Sequence, residues 1–170
     1  VTDKRGWVML AYRMPREPST PRIAVWRRLR RLGVAQPVDG LVLLPDEPRT
    51  REGLEWVAER VVAADGQATL WTAAYLSGDE EDTMVQSMNS AIAAAYAAVS
   101  REARAVAAEG GQAWLAATRN GPNNEDSSGD RGELRRRAAQ LARTLSQVQS
   151  RDYFGADGRV EAEQAILALT

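Results

Sequence analysis

Cysteine and histidine are both absent from this 170-residue chain. Their absence removes disulfides, zinc fingers, thiol nucleophiles, Ser-His-Asp triads and imidazole acid–base chemistry. Long apolar runs are absent too, since nothing approaches the roughly 18 residues that a membrane-spanning helix needs. No secretory signal pattern opens the chain, so the expected compartment is the cytoplasm, and Val1 leaves the natural start unfixed. No phosphate-cradling Gly-rich loop and no tightly spaced metal-ligand signature occurs. Acidic residues are scarce at the N-terminal end. Val1–Leu32 holds nine Lys and Arg against Asp3 and Glu17, a local charge of +7, while the remaining 13 basic and 21 acidic residues give −8. The whole-chain net charge of −1 conceals this asymmetry. A concentrated positive field favours polyanions or small oxyanions.

What is present suffices for a core without staples. Hydrophobic residues make up 44% of the chain, and a domain of roughly 150 residues buries about 68–70% of its unfolded surface. Trp7–Met14 is an apolar, aromatic run ended by Pro15 and reads as a buried first strand. Pro15, Pro18 and Pro21 forbid regular structure after it. Ser19 or Thr20 then reads as a helix N-cap, with Pro21 in the first turn, Leu32 at the end and Gly33 as the stop. At about 100° per residue, Ile23, Val25, Trp26, Leu29 and Leu32 fall on one side, and Arg27, Arg28 and Arg31 on the other, with Arg30 at the margin. Val34–Val38 and Leu41–Leu44 flank Asp39-Gly40, the signal of a type I′ hairpin turn. Pro37 demotes the first of these strands to an edge or a bulge. A helix over Arg51–Ala64 turns Leu54, Val57 and Val61 inward and stops near Asp65-Gly66. Ala68–Tyr75 is a fourth strand. The order βαββαβ is that of a ferredoxin-like α+β fold, an antiparallel four-stranded sheet with two helices on one face.

From Glu80 onward the pattern is helical. The expected organisation is a ferredoxin-like domain over 1–78 and a C-terminal helical extension over 79–170 packed on it. Glu80–Glu109 is a helix broken by Gly110-Gly111. Gln112–Thr118 is ambiguous between a strand and a helical turn, Arg119–Gly132 is polar and loop-like, and helices follow over Glu133–Arg151 and Val160–Leu169.

The cluster Arg27, Arg28, Arg30 and Arg31 suits phosphate contact, because guanidinium forks match phosphate oxygens and stay charged. The simpler reading is a solvated helix face paired with acid-rich C-terminal helices. Trp7, Trp26, Trp56, Trp71 and Trp114 include candidate platforms for base stacking. Core packing is the expectation for Trp26 and Trp56, and a core or dimer-interface role for Trp71 and Tyr75. Asp46, Glu47, Glu52 and Glu55 form an acidic cluster that hard cations would choose, but placement at a helix start explains Glu52 and Glu55 more simply. Arg135–Arg137 is a second candidate phosphate patch, with Glu133 and Arg137 at i,i+4 pairing distance.

Several blocks together resemble a known family. Trp7–Met14, Pro15-x-x-Pro18-Ser19, Arg22-x-x-x-Trp26-Arg27-Arg28-Leu29-x-x-Leu32-Gly33 and Asp39-Gly40-x-x-x-Leu44-Pro45 are similar to the N-terminal domain of the chromate-resistance regulator ChrB. Gly66-Gln-Ala68 and Arg151-Asp-Tyr-Phe154 match later segments of that family. The resemblance implies a bacterial transcriptional regulator of a chromate-efflux operon that binds DNA through basic residues and is not an enzyme. Longer family members carry a further C-terminal domain. PaaX-type repressors and a CRISPR adaptation nuclease share a similar βαββαβ plan, but the nuclease comparison needs an Asp at the end of the first strand, where Arg13 sits here.

Three functions follow as expectations. The first is a homodimeric regulator that binds double-stranded DNA through Arg13, Arg16, Arg22, Arg27, Arg28, Arg30 and Arg31, with Lys4 and Arg5 as further phosphate contacts. The second is a sensor of chromate, sulfate or another oxyanion, held by Arg16, Ser19 and Arg22 at the first helix N-terminus. The third is a metal-dependent nuclease, which needs carboxylates around a divalent ion. No cofactor, resident metal, catalytic residue or membrane contact is expected for the first.

Overall fold

The computed structural model describes residues 5–120 and 126–169. Lys4 and the centre of the loop expected over Arg119–Gly132 lie outside them. The chain divides into two compact units, Val1–Met88 and Asn89–Thr170.

The first unit is α+β. Its elements are β1 (Trp7–Arg13), α1 (Ser19–Leu32), β2 (Ala35–Val38), β3 (Leu41–Pro45), α2 (Pro48–Val62) and β4 (Gln67–Ala73). The four strands form one antiparallel sheet in the order β2-β3-β1-β4. In the centre Leu10 stands opposite Val42 of β3 and Leu70 of β4. Side chains alternate along a strand, so Val8 and Leu10 share a face with Val42 and Leu44, and all four are buried. Helix α2 packs on β1 and β4, helix α1 packs on α2, and Val25, Leu29, Leu54, Val57 and Val61 complete the core. Each such aliphatic burial stabilises the fold by about 1.5–3 kcal/mol.

Trp7 alternates to the other face and is fully buried there. Its indole N–H donates to Glu81 Oε1 at 2.8 Å, and Tyr75 meets its ring edge-on at 5.7 Å. Burial, then the nearby Glu80 and Glu81 carboxylates, raise the Tyr75 phenol above its ordinary pKa.

Several local expectations need correction. Pro18, not Ser19 or Thr20, is the N-cap residue of α1, and no side chain caps that helix. Gly40 has φ +75°, but Asp39 is not in the positive-φ region, so the hairpin turn is not type I′. Pro37 does fall in an edge strand with an irregular register. Helix α2 begins earlier than expected, because Glu47 and Thr50 build a reciprocal capping box ahead of it. Glu52 and Glu55 therefore lie beyond its first turn.

The second unit is helical. Helix α3 spans Gly78–Asn120 without interruption, α4 spans Asp126–Gln149 and α5 spans Arg159–Leu167. Gly110-Gly111 does not break α3, Gln112–Thr118 is helical, and so are the described residues of the expected loop, Arg119, Asn120 and 126–132. Glycine in a helix costs only about 1 kcal/mol relative to alanine, which the surrounding helix outweighs. The core of this unit joins Ile92, Tyr96 and Val99 to Leu145 and Val148, with Ala156 and Ala162 closing it. No helix of the described residues is long and apolar enough to cross a membrane.

Candidate nucleic-acid interface

The end of β1 is held from two sides by turns that tolerate no larger residue. A Cβ on Gly40 would lie 2.7 Å from the Tyr12 carbonyl oxygen, and one on Gly66 would lie 2.7 Å from that of Arg13. Approaches that short are not sustained by real side chains. The Tyr12 N–H also donates to the Gly40 carbonyl at 2.7 Å. The close approach of both turns is what fixes Tyr12 and Arg13.

Two hollows open around this clamped end. On the α1 side a groove of about 670 Å³ is lined by Tyr12, Ile23, Val25 and Trp26, with Arg13, Arg22 and Arg27 among its residues. Asp39 and Gly40 line the same groove. Burial, then the Asp39 carboxylate, raise the Tyr12 phenol above its ordinary pKa. On the β4 side a hollow of about 650 Å³ is lined by Arg13 and Arg16 with Asp65 and Gly66. Arg13, Arg22 and Arg27 are thus brought together, and Arg16 joins only Arg13. Ser19 is exposed and lines neither hollow.

The orientation of α1 differs from the expectation in a way that matters for the site. Val25 and Leu29 are buried, but Ile23 is 44% and Trp26 52% exposed. Trp26 is therefore a groove wall and not a core residue. Arg28, expected outward, is half-buried and lies over the Trp56 ring at 5.2 Å. The helix is rotated about its axis relative to the hydrophobic pattern: Val25 and Leu29 are buried and Leu32 packs at Gly53 of α2, while Ile23 and Trp26 turn toward water. Trp56, expected in the core, is 40% exposed, and the Arg60 guanidinium also lies over it at 5.4 Å. Arg30 lies over Trp26 at 4.8 Å. Each such stacking contributes about 0.5–1 kcal/mol at an exposed site. Its larger effect is to hold a guanidinium flat, where the planar fork of donors is pre-organised for phosphate.

Arg60 is a site residue that the sequence pattern does not single out, and Trp56, one of the candidate stacking platforms, carries guanidiniums. A signal for them exists, since aromatic and Arg stand four apart in both Trp26/Arg30 and Trp56/Arg60, a spacing that makes neighbours on a helix. Trp71 is 48% exposed, and its parity puts it on the Trp7 face of the sheet. The side chain of Trp114 lies outside the described ones.

Within the first unit, Arg13, Arg16, Arg22, Arg27 and Arg31 carry no ion pair among the described residues. The acids after the hairpin are otherwise engaged. Asp46 pairs bidentately with Arg51, and that hydrogen bond holds the Asp46 carboxyl below the usual range. Glu47 caps α2. No group of three or more Asp or Glu side chains among the described residues is placed to hold a metal ion.

In the second unit, Arg137 does not pair with Glu133 but with Glu102 at 3.1 Å and with Glu109, both on α3. Arg135 and Arg136 are exposed. The Arg151-Asp-Tyr-Phe segment has a structural part to play. Asp152 accepts hydrogen bonds from the Tyr96 hydroxyl at 3.0 Å and from the Ala156 N–H at 2.8 Å.

Comparison with known proteins assigns the chain. The family model described as Protein ChrB, N-terminal, matches residues 22–170. The match begins within α1 and takes in Arg22, Trp26 and the arginines that follow. Protein ChrB of Cupriavidus metallidurans is 29% identical over 80 residues, covering 47% of this chain and 24% of that protein. The matched part spans about a quarter of that relative's length. No solved structure matches significantly. By the extent of the family match, the chain belongs to the ChrB N-terminal family.

Proposed function

We propose that this chain is a non-enzymatic transcriptional regulator of the chromate-resistance type, which binds double-stranded DNA in the cytoplasm as a homodimer and controls a chromate-efflux or related operon. Family membership supports the regulatory part. The observation that carries the DNA part is the convergence of Arg13, Arg22 and Arg27 on one groove beside α1, none of them ion-paired within the unit. Arg31, one turn beyond Arg27, and Arg28, stacked on Trp56, extend the positive surface along the helix layer. Phosphate contacts of this kind supply affinity and register, while base contacts supply sequence preference. We read the first unit as ferredoxin-like, supported by an order in which β3 separates β1 from β2 and β1 separates β3 from β4. The half-exposed Trp71 supports a second copy on that sheet face. The oxyanion reading gains less support, because Arg16 and Arg22 line separate hollows.

An electrophoretic shift with duplex from the region upstream of the protein's own gene tests the proposal. Retardation at low salt is expected, with affinity falling steeply as salt rises. Removing one phosphate-binding side chain flattens the slope of log K against log salt by about 0.9. The triple variant Arg22→Ala, Arg27→Ala, Arg31→Ala is therefore expected to bind at least tenfold more weakly with a shallower slope. No retardation at low salt, or a triple variant that binds like the parent, would reject the reading.

A further inference from the structure

The groove beside α1 has a lining that phosphate contact alone does not explain. A polyanion track needs charge, yet Tyr12, Ile23 and Trp26 give this groove an apolar and aromatic wall. Ile23 and Trp26 remain 44% and 52% exposed on a helix whose other face reaches the core through Val25 and Leu29. The Arg30 guanidinium stacks at Trp26, yet half of that indole stays in water beside Ile23, an apolar patch rimmed by charge of the kind that marks a ligand groove. The volume of about 670 Å³ falls within the 300–1,000 Å³ of ordinary small-molecule sites. Arg13, Arg22 and Arg27 place three positive charges at it against the single carboxylate of Asp39.

These features select one ligand chemistry. A bare tetrahedral oxyanion would gain from the arginines but leave the apolar wall wet. A neutral aromatic would cover the wall and leave the guanidiniums unmatched. We propose that the groove binds a small aromatic carboxylate or sulfonate, its ring against Trp26 and Ile23 and its anionic group on Arg22 and Arg27. Asp39 sets the polarity of the site, because it repels a second acidic group at the Tyr12 end. This inference stands without DNA binding, since it concerns the free chain.

The test uses the full chain without DNA and anilinonaphthalene sulfonate as a fluorescent probe. Saturable one-to-one binding is expected, with displacement by naphthoate and none by sulfate at the same concentration. Trp26→Ala and the double variant Arg22→Ala, Arg27→Ala are each expected to weaken binding at least tenfold, with Trp26→Phe in between. Trp71→Ala removes a comparably exposed indole elsewhere and is expected to leave binding unchanged. Circular dichroism confirms that the variants fold, which the exposure of all four side chains favours. Sulfate competing as well as naphthoate, Trp71→Ala costing as much as Trp26→Ala, or an absence of saturable binding would each overturn the proposal. Failure of the DNA shift alone would leave these outcomes unaffected.

Discussion

At the scale of single residues, backbone space and buried polarity decide which positions are irreplaceable. Gly40 combines φ +75° with a 2.7 Å approach of its missing Cβ to the Tyr12 carbonyl. Neither strain is relieved by a rotamer change, so Gly40→Ala is expected to destabilise by about 1–3 kcal/mol, read as a lower urea midpoint at unchanged m-value. Tyr96 illustrates buried polarity. It is fully buried, and burial, followed by the hydrogen bond to Asp152, pushes its phenol up to about 12. The folded pKa lies above the ordinary value of about 10, so the unfolded chain loses this proton first. The stabilisation is complete below about pH 10 and fades as pH rises toward 12. Denaturation midpoints should fall across that window, and the phenolate absorbance of one tyrosine should appear only with unfolding. In Tyr96→Phe this component of the alkaline loss should disappear. That variant should also cost about 1 kcal/mol at neutral pH, the ordinary net value of one hydrogen bond.

At the scale of elements, α1 separates packing from function along one helix. Leu29 is buried and Trp26 is half in water. Leu29→Ala should therefore cost about 2–4 kcal/mol, whereas Trp26→Ala should cost under about 1 kcal/mol and act on ligand binding instead. Thermal melts of the two variants side by side check this. The helix itself is legible in the sequence, as are its Gly33 stop and the core role of Leu54, Val57 and Val61. Its rotation is not. A hydrophobic wheel ranks Trp26 with Leu29 by side-chain polarity, but only the packed partner decides which part of a wide apolar arc is covered. The length of α3 escapes the sequence for a different reason, since a Gly-Gly pair lowers helix propensity by only about 2 kcal/mol and does not by itself fix a stop. Gly111 has nothing within 4 Å of where a Cβ would sit. Gly111→Ala is accordingly expected to raise stability by about 0.5–1 kcal/mol, measurable as a higher denaturation midpoint.

At the scale of the whole molecule, the charge imbalance visible in the sequence survives as a surface. The residues from Arg13 to Arg31 that carry it line the groove and the adjoining hollow or stand beside them. The sheet order and the gathering of Arg13 with Arg22 and Arg27 are products of long-range pairing, which local patterns in a sequence do not encode. The pairing of Arg137 with Glu102 and Glu109, in place of the nearer Glu133, is another such product. The stacking of two guanidiniums, from Arg28 and Arg60, over one Trp56 ring has a thermodynamic side. The fold gathers two cations at one ring, an arrangement that the unfolded chain lacks. A multivalent anion that contacts both would bind the native state alone and so couple its capture to folding. At 100 times its Kd such an anion adds about 2.7 kcal/mol of stability. Inorganic polyphosphate should raise the melting temperature of the parent chain more than that of Arg60→Gln, and equal rises in the two would show that the stacked pair takes no part. With the larger rise in the parent chain, one indole ties the occupancy of the surface to the resistance of the whole fold to heat.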